Sequence, residues 1–241
     1  MSLTRTVLFD IDDTLFDHRY SSRVALRDLQ DRDPSGLAQL DLDDLERTHL
    51  QILNSVHRGV LDGQLTIDEA RKRRFGLLYD HYGLTLPAET DAIASRYRDI
   101  YQGSWRPTPG AHEVLRLLRS EGLHVGVVSN NVVSEQRMKL DILGLTSLID
   151  TMTISEEAGA AKPDPKIYFV ALERAGARAE ETVMIGDAWE NDVIGARRAG
   201  LRTIWFDHYR LGLPTDVPAS EHPPRLLDLT DPALVLELVR S

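Results

Sequence analysis

The stretch VLFDIDDTLFD, Val7 to Asp17, holds four aspartates, and three of them (Asp10, Asp12 and Asp13) follow directly on an apolar run. Carboxylates repel one another, and burying one is costly unless it is paired, metal-bound or neutralised. Further along, the run HVGVV ends in Ser129, Asn130 and Asn131. TVMIG ends in Asp187, with Asp192 five residues later, and KPDP carries Lys162. Three or four acidic groups meeting at one place need a cation, and hard oxygen ligands select magnesium rather than zinc. Magnesium keeps waters and often shares its site with phosphate. A lysine and a hydroxyl nearby suit a phosphoryl group. The set reads as magnesium-assisted phosphoryl transfer, with one carboxylate able to attack phosphorus.

These residues meet only if the elements that carry them place them on one rim. RTVLFDI predicts a short buried strand. HVGVVSN, DTMTIS, TVMIGD and RTIWFD predict four more. Helical patterns alternate with them in TPGAHEVLRLLRSEG, SEQRMKLDILG, DPKIYFVALERAG and NDVIGARRAG. Short apolar strands alternating with helices imply βαβ units and a mostly parallel sheet. In such sheets ligands bind beyond the carboxyl ends of the strands. That is where Asp10, Asp12, Ser129, Asn130 and Asp187 fall, with Lys162 seven residues beyond a fourth strand end.

Between the first strand and the rest lies a different rhythm. RYSSRVALRDLQDRD predicts a helix that stops near Pro34-Ser35-Gly36. LDDLERTHLQILNSVHRG predicts a second, with Gly59 after its apolar positions. TIDEARKRRFGLLYDHYG opens with the Thr66/Glu69 spacing of a capping box. PAETDAIASRYRDIYQGSW predicts a fourth helix with Pro87 near its start. The expected fold is therefore α/β, a Rossmann-like mostly parallel sheet core (1–16 and 106–241) with an inserted all-helical cap (17–105). Leu213 to Pro224 is proline-rich and predicts irregular chain. DPALVLELVRS predicts a closing helix with Asp231 as N-cap and Pro232 at its first position.

The bulk numbers narrow the function classes. The 241 residues are 42% hydrophobic and 27% charged, an ordinary globular composition. A net charge of −10 argues against a nucleic-acid polymer or an anionic membrane as partner, since both demand a basic face. It leaves room for a small phosphorylated substrate beside a local cation. There is no cysteine, which removes disulfides, thiolate metal sites and cysteine nucleophiles. No apolar run approaches the roughly 20 residues of a membrane span. MSLTRTVLFD has no apolar signal-peptide region, so a cytoplasmic location is expected. The eight histidines show no ligand spacing. RKRRF, Arg71 to Phe75, is read as a solvated basic face. Tyr79, Tyr82, Tyr97, Tyr101 and Trp105 are read as core of the helical insert. His18 and Arg19 are read as candidates for the hinge near a leaving group.

DIDDT (Asp10, Asp12, Thr14), VVSN (Ser129), KPDP (Lys162) and GDAWEND (Asp187, Asp192) together resemble the four ordered motifs of the haloacid dehalogenase superfamily, over residues 1 to about 16 and 106 to about 210. Each motif is weak alone; four in order, at strand ends or the loops beyond, are specific. The resemblance implies Asp10 as nucleophile and Asp12 as the acid that protonates the leaving oxygen and then activates water. It implies Mg²⁺ held by Asp10, the Asp12 backbone carbonyl and Asp187, with Asp192 in support directly or through water. It implies phosphate binding by Ser129 and Lys162, with Thr14 ordering the first loop; Thr14 and the backbone amide of Asn130 are also read as phosphate contacts. Asp13 and Asp17 are expected behind the ligands or facing solvent. Dehalogenases of the superfamily lack an aspartate at the Asp12 position, because carbon–halogen cleavage needs no leaving-group acid. Asp12 thus points to phosphate chemistry. The D-x-D-D-T-L form resembles a subgroup that includes nucleotidases and sugar-phosphate phosphatases. The expectation is a magnesium-dependent phosphomonoesterase for a nucleoside monophosphate or sugar phosphate, monomeric or homodimeric. The alternatives are a phosphotransferase or mutase with the same motifs, and a non-catalytic binding module.

Overall fold

The computed structural model describes residues 3–33, 36–61, 63–86, 90–213, 217–218 and 221–241. The expected positions Pro34, Ser35 and Pro87, and part of the proline-rich tail, lie outside these. The described chain divides into two compact units. One runs to Asp17 and resumes as Arg106–Ser241; the other is His18–Trp105. Among the described residues no helix is long and apolar enough to cross a membrane.

The first unit is built on six parallel strands in the order β3-β2-β1-β4-β5-β6. They are β1 (Thr6–Phe9), β2 (His124–Ser129), β3 (Thr151–Ile154), β4 (Thr182–Gly186), β5 (Arg202–Phe206) and β6 (Arg225–Leu226). Every residue of β1 is buried, as expected of a strand covered on both faces. β1 takes a central place, flanked by β2 (Phe9 level with Val127) and β4 (Phe9 level with Ile185). Strand alternation puts Leu8, Val128 and Met184 into one cluster with Ile167, Tyr168, Ala171 and Leu172 of α8 (Pro165–Ala175) and with Ala196 of α9 (Gly195–Arg198). α5 (Ala111–Ser120) packs against β2 and against α10 (Pro232–Arg240). The Asp231 side chain caps α10 at the Leu234 amide, with Pro232 in the first turn, as read.

Three details differ from the expected elements. A short helix, α7 (Ser155–Ala158), follows β3 before the lysine loop. The stretch read as one helix from Asn191 begins as a π-helical turn, Trp189–Ile194, before α9. The wide turn lets Asp192 fold back, its backbone N–H reaching Ala188 O at 2.7 Å and its carboxylate accepting from Ala188 N at 3.0 Å. β6, too short to show a periodicity, closes the sheet edge after the tail.

The second unit is all-helical: α1 (His18–Arg32), α2 (Leu42–Leu61), α3 (Ile67–His81) and α4 (Thr90–Gly103). α2 runs through Gly59, which therefore does not stop it. Thr66 and Glu69 form the capping box of α3. Leu26, Leu29, Leu45, Phe75, Leu78, Tyr79 and Tyr97 form the core of the unit, and Tyr82 and Tyr101 pack against it. The basic run does not form one solvated face. Arg74 is buried, its guanidinium over the rings of Phe75 and Tyr97 at 5.0 and 4.7 Å, while Arg71 and Lys72 pair with Asp68 and Asp91. Helical geometry turns Arg74 inward beside Phe75 whatever its charge, and aromatic faces accept it there.

Gly186 shows how tightly the end of β4 is packed. A side chain there would set its Cβ 2.6 Å from the Cβ of Asp192. Gly186→Ala is expected to destabilise the protein by about 1–3 kcal/mol in urea unfolding, through overpacking. An unchanged midpoint would show that the π turn yields freely.

Candidate active site

β1 ends at Phe9, and the Asp10 backbone N–H still bonds to Ile185 O at 3.0 Å, so the ladder to β4 fixes the first carboxylate. On the next strand Gly186 is followed by Asp187, whose carbonyl accepts from the Trp205 indole at 2.9 Å. The π turn brings in Asp192. One ligand atom from each of Asp10, Asp187 and Asp192 lies within 4.8 Å of the others. Asp10 and Asp192 are buried and Asp187 is partly exposed. Against them stands Lys162, also buried, with Nζ at 2.5 Å from Asp10 Oδ1 and 2.6 Å from Asp192 Oδ1.

Asn130 positions that lysine. Its side-chain amide accepts from Lys162 N at 2.7 Å and donates to Lys162 O at 2.8 Å, so the side chain holds the backbone of the lysine loop. Thr14 is fully buried, with its hydroxyl 3.5 Å from Asp187 Oδ1. Asp13 takes the left-handed conformation at φ 61° and accepts from the Tyr209 hydroxyl at 2.7 Å. Asp17 is buried rather than facing solvent. It pairs with Arg106 at 2.6 Å, where the chain leaves and re-enters this unit.

Ser129 and Asp12 meet through residues that the sequence reading did not single out. Gln136 Nε2 lies 2.7 Å from Ser129 Oγ and 2.8 Å from Asp12 Oδ2, and Lys139 Nζ lies 2.5 Å from Asp12 Oδ1. Both sit on α6 (Val133–Ile142), and both are fully buried. The one available signal was two polar residues three apart on what must be the inward face of a helix after a site-bearing strand. Burial alone would lower the Lys139 ammonium, but the carboxylates of Asp12 and Glu135 more than offset it and raise it.

The electrostatics show what the acidic group lacks. Burial, with the neighbouring Asp192 and Asp12, pushes Asp10 from 3.8 up to about 7 in spite of Lys162. Burial and the charges of Asp13, Asp10 and Asp192 likewise push Asp187 well above the ordinary carboxylate range. One ammonium answers one of three carboxylates, and the two charges left over match a divalent cation. Three converging carboxylate oxygens are a hard donor set, which fits such an ion.

The chain belongs to the haloacid dehalogenase-like hydrolases, whose family model matches residues 4–200. It is 30% identical over 242 residues to a glyceraldehyde 3-phosphate phosphatase from Methanopyrus kandleri, covering 99% of this chain and 98% of that one. It is 35% identical over 127 residues to a ribulose-1,5-bisphosphate 5-phosphatase from Halopiger xanaduensis, a match that spans only 53% of either chain. Among solved structures it is similar to magnesium-bound YfnB from Bacillus subtilis, with a TM-score of 0.76, 25% identity and full coverage of both chains.

The raised Asp10 has a consequence for stability. In the native protein it holds its proton up to about pH 7, whereas in the unfolded chain it ionises near 3.8. Between those values the native state binds more protons, so stability from this group falls as pH rises through the window. With EDTA present, Asp10→Asn is expected to raise the melting temperature over wild type at pH 7.5, with the gap closing toward pH 4.5. A divalent cation at the acidic group should narrow the gap at pH 7.5. A gap that is the same at both pH values would refute this account of the carboxylate.

Proposed function

We propose that the protein is a magnesium-dependent phosphomonoesterase that works through an aspartyl-phosphate on Asp10, acting on a small phosphorylated metabolite. The observation that carries this reading is the convergence of Asp10, Asp187 and Asp192 beside Lys162, with Asp12 close by in the same loop. Asp10 attacks phosphorus in line. The bond from Asp10 oxygen to phosphorus forms as the bond from phosphorus to the leaving oxygen breaks. Asp12 gives its proton to that leaving oxygen. In the second half Asp12 takes a proton from water, whose oxygen attacks phosphorus and releases Asp10 and inorganic phosphate.

Lys162 and Ser129 bind the transferring phosphoryl oxygens, with the Asn130 backbone N–H beside them. The Asn130 side chain serves the lysine loop, and Thr14 orders the first loop. Asp10, Asp187, Asp192 and the Asp12 carbonyl would hold Mg²⁺, which when bound neutralises charge on the phosphoryl oxygens and on the crowded carboxylates. Little covalent chemistry is asked of the side chains beyond Asp10 and Asp12; positioning and charge do most of the work. The two phosphatase relatives act, by their names, on phosphorylated sugars, which supports a sugar phosphate as substrate, beside the nucleoside monophosphate that the D-x-D-D-T-L form favours.

The test is inorganic phosphate release from a panel of sugar phosphates and 5′-nucleotides, with Mg²⁺ and with EDTA. Release that needs Mg²⁺ and falls at least about a thousandfold in Asp10→Asn is expected. Equal turnover by Asp10→Asn would end the covalent mechanism. Release that persists in EDTA would remove the metal from it.

A further inference from the structure

We propose that Gln136 and Lys139 on α6 are positioning residues, fixing the Asp12 carboxylate and turning the Ser129 hydroxyl proton toward the phosphoryl site. The inference rests on the phosphomonoesterase reading above and extends it to residues that touch neither the acidic cluster nor Lys162.

The contacts of the Gln136 amide set the direction of its hydrogen bonds. An amide nitrogen carries two protons and no lone pair, so at both of its contacts Gln136 Nε2 donates. It donates to Asp12 Oδ2 at 2.8 Å and to Ser129 Oγ at 2.7 Å. Reversing the amide would set its oxygen against Asp12 Oδ2, oxygen to oxygen, so the two contacts at Nε2 select the orientation. Ser129 Oγ is then an acceptor toward α6, and its own proton is left for a different acceptor. Ser129 ends β2, next to β1, whose last residue precedes Asp10, and the acceptor that arrives at that rim is a phosphoryl oxygen.

Asp12 is held at both oxygens, Oδ2 by Gln136 and Oδ1 by Lys139 at 2.5 Å. Two donors from one helix face fix the plane of the carboxylate. Lys139 is itself immobilised, buried with its ammonium 5.1 Å from the centre of the Phe16 ring and 3.5 Å from Glu135. An ammonium in such a place is expensive unless it is matched, and an apolar side chain would fill the volume at lower cost. The ammonium serves Asp12 by fixing the direction in which its carboxyl group faces the leaving oxygen. Misplacing such a group by about 1 Å can cost about a hundredfold in rate.

The test separates positioning from packing by the leaving group. An alkyl phosphate, such as the best sugar phosphate of the panel, expels an alkoxide that must be protonated. p-Nitrophenyl phosphate expels a phenolate that is stable without protonation. Lys139→Met should lose about 10- to 100-fold in kcat/KM on the alkyl ester and under about threefold on the aryl ester, with Lys139→Arg recovering most of the loss. Gln136→Met should show the same bias and also weaken inhibition by inorganic phosphate by about three- to tenfold, because Ser129 is no longer oriented. Mg²⁺ affinity by calorimetry should stay within about twofold in all three variants, since none of these side chains is among the proposed ligands. Equal losses on the two esters in folded variants that bind Mg²⁺ normally would overturn the inference while leaving the phosphatase reading intact. If wild type releases no phosphate from any ester, both fall together. Should Lys139→Met not fold, Gln136→Met and Lys139→Arg carry the same comparison.

Discussion

The α/β unit is organised around an electrostatic problem at the end of its central strand. Three carboxylates converge there, two of them buried, and a single ammonium bridges two of the three. Left to themselves such groups would separate or hold their protons, and Asp10 and Asp187 show that tendency. Neighbouring structure prevents separation. Asp10 is tied to the β4 ladder, and the Asp187 carbonyl is tied to Trp205 of the next strand. Gly186 leaves room for Asp192, and the π turn aims it. The sheet order that places β1 between β2 and β4 is thus also the order that brings a nucleophile candidate, a hydroxyl and a metal-ligand candidate onto adjacent strand ends.

Behind the acidic group, a second set of contacts holds the loops. Asp207, buried at the end of β5, accepts from the backbone of Leu211 and Gly212 and pairs with Arg225 of β6. That fixes the segment carrying Tyr209, whose hydroxyl reaches Asp13 in the first loop. Asp13 pays a conformational cost for its left-handed backbone, and the Tyr209 bond helps to hold it there. The two-residue strand β6 therefore matters less as part of the sheet than as an anchor, three contacts removed, for the loop that carries Asp10 and Asp12.

What the sequence made legible follows the range of the forces involved. Apolar runs and helical spacing are local, so the five main strands and the helices between them could be read, and the membership of the family rested on motifs at their ends. Asp10 and Asp187 could be grouped because each follows an apolar run that ends at the same sheet edge, and Asp192 joined them through the GDAWEND motif. Gln136 and Lys139 could not, because a polar residue on a helix looks the same in sequence whether it faces water or a carboxylate. Tyr209 and Asp13 are 196 residues apart, and no periodicity connects them. Arg74 departs from the solvated basic face expected of its run because helix geometry places it over two rings. The π turn was read as ordinary helix because its cause, the return of Asp192 to the site, is tertiary.

The helical unit poses its own charge problem, and it bears on how Arg19 is to be understood. Glu46 is buried, and it is paired with both Arg19 and Arg23, which remain partly exposed. A buried carboxylate is costly unless cations stay beside it. Arg19 therefore has a structural task within its own unit, independent of any contact with a leaving group. His18 is similarly engaged, with Nδ1 2.7 Å from the Tyr101 hydroxyl. Removing Arg19 would leave Glu46 with a single arginine, and part of any loss of activity would come from a weakened helical unit rather than from lost recognition. The informative change at this position keeps the charge and alters the reach, because Lys can still answer Glu46 while giving up the planar fork through which Arg binds an anion at two points. Recognition by Arg19 would then appear as a raised KM at unaltered stability, whereas a purely structural arginine would leave KM where it was.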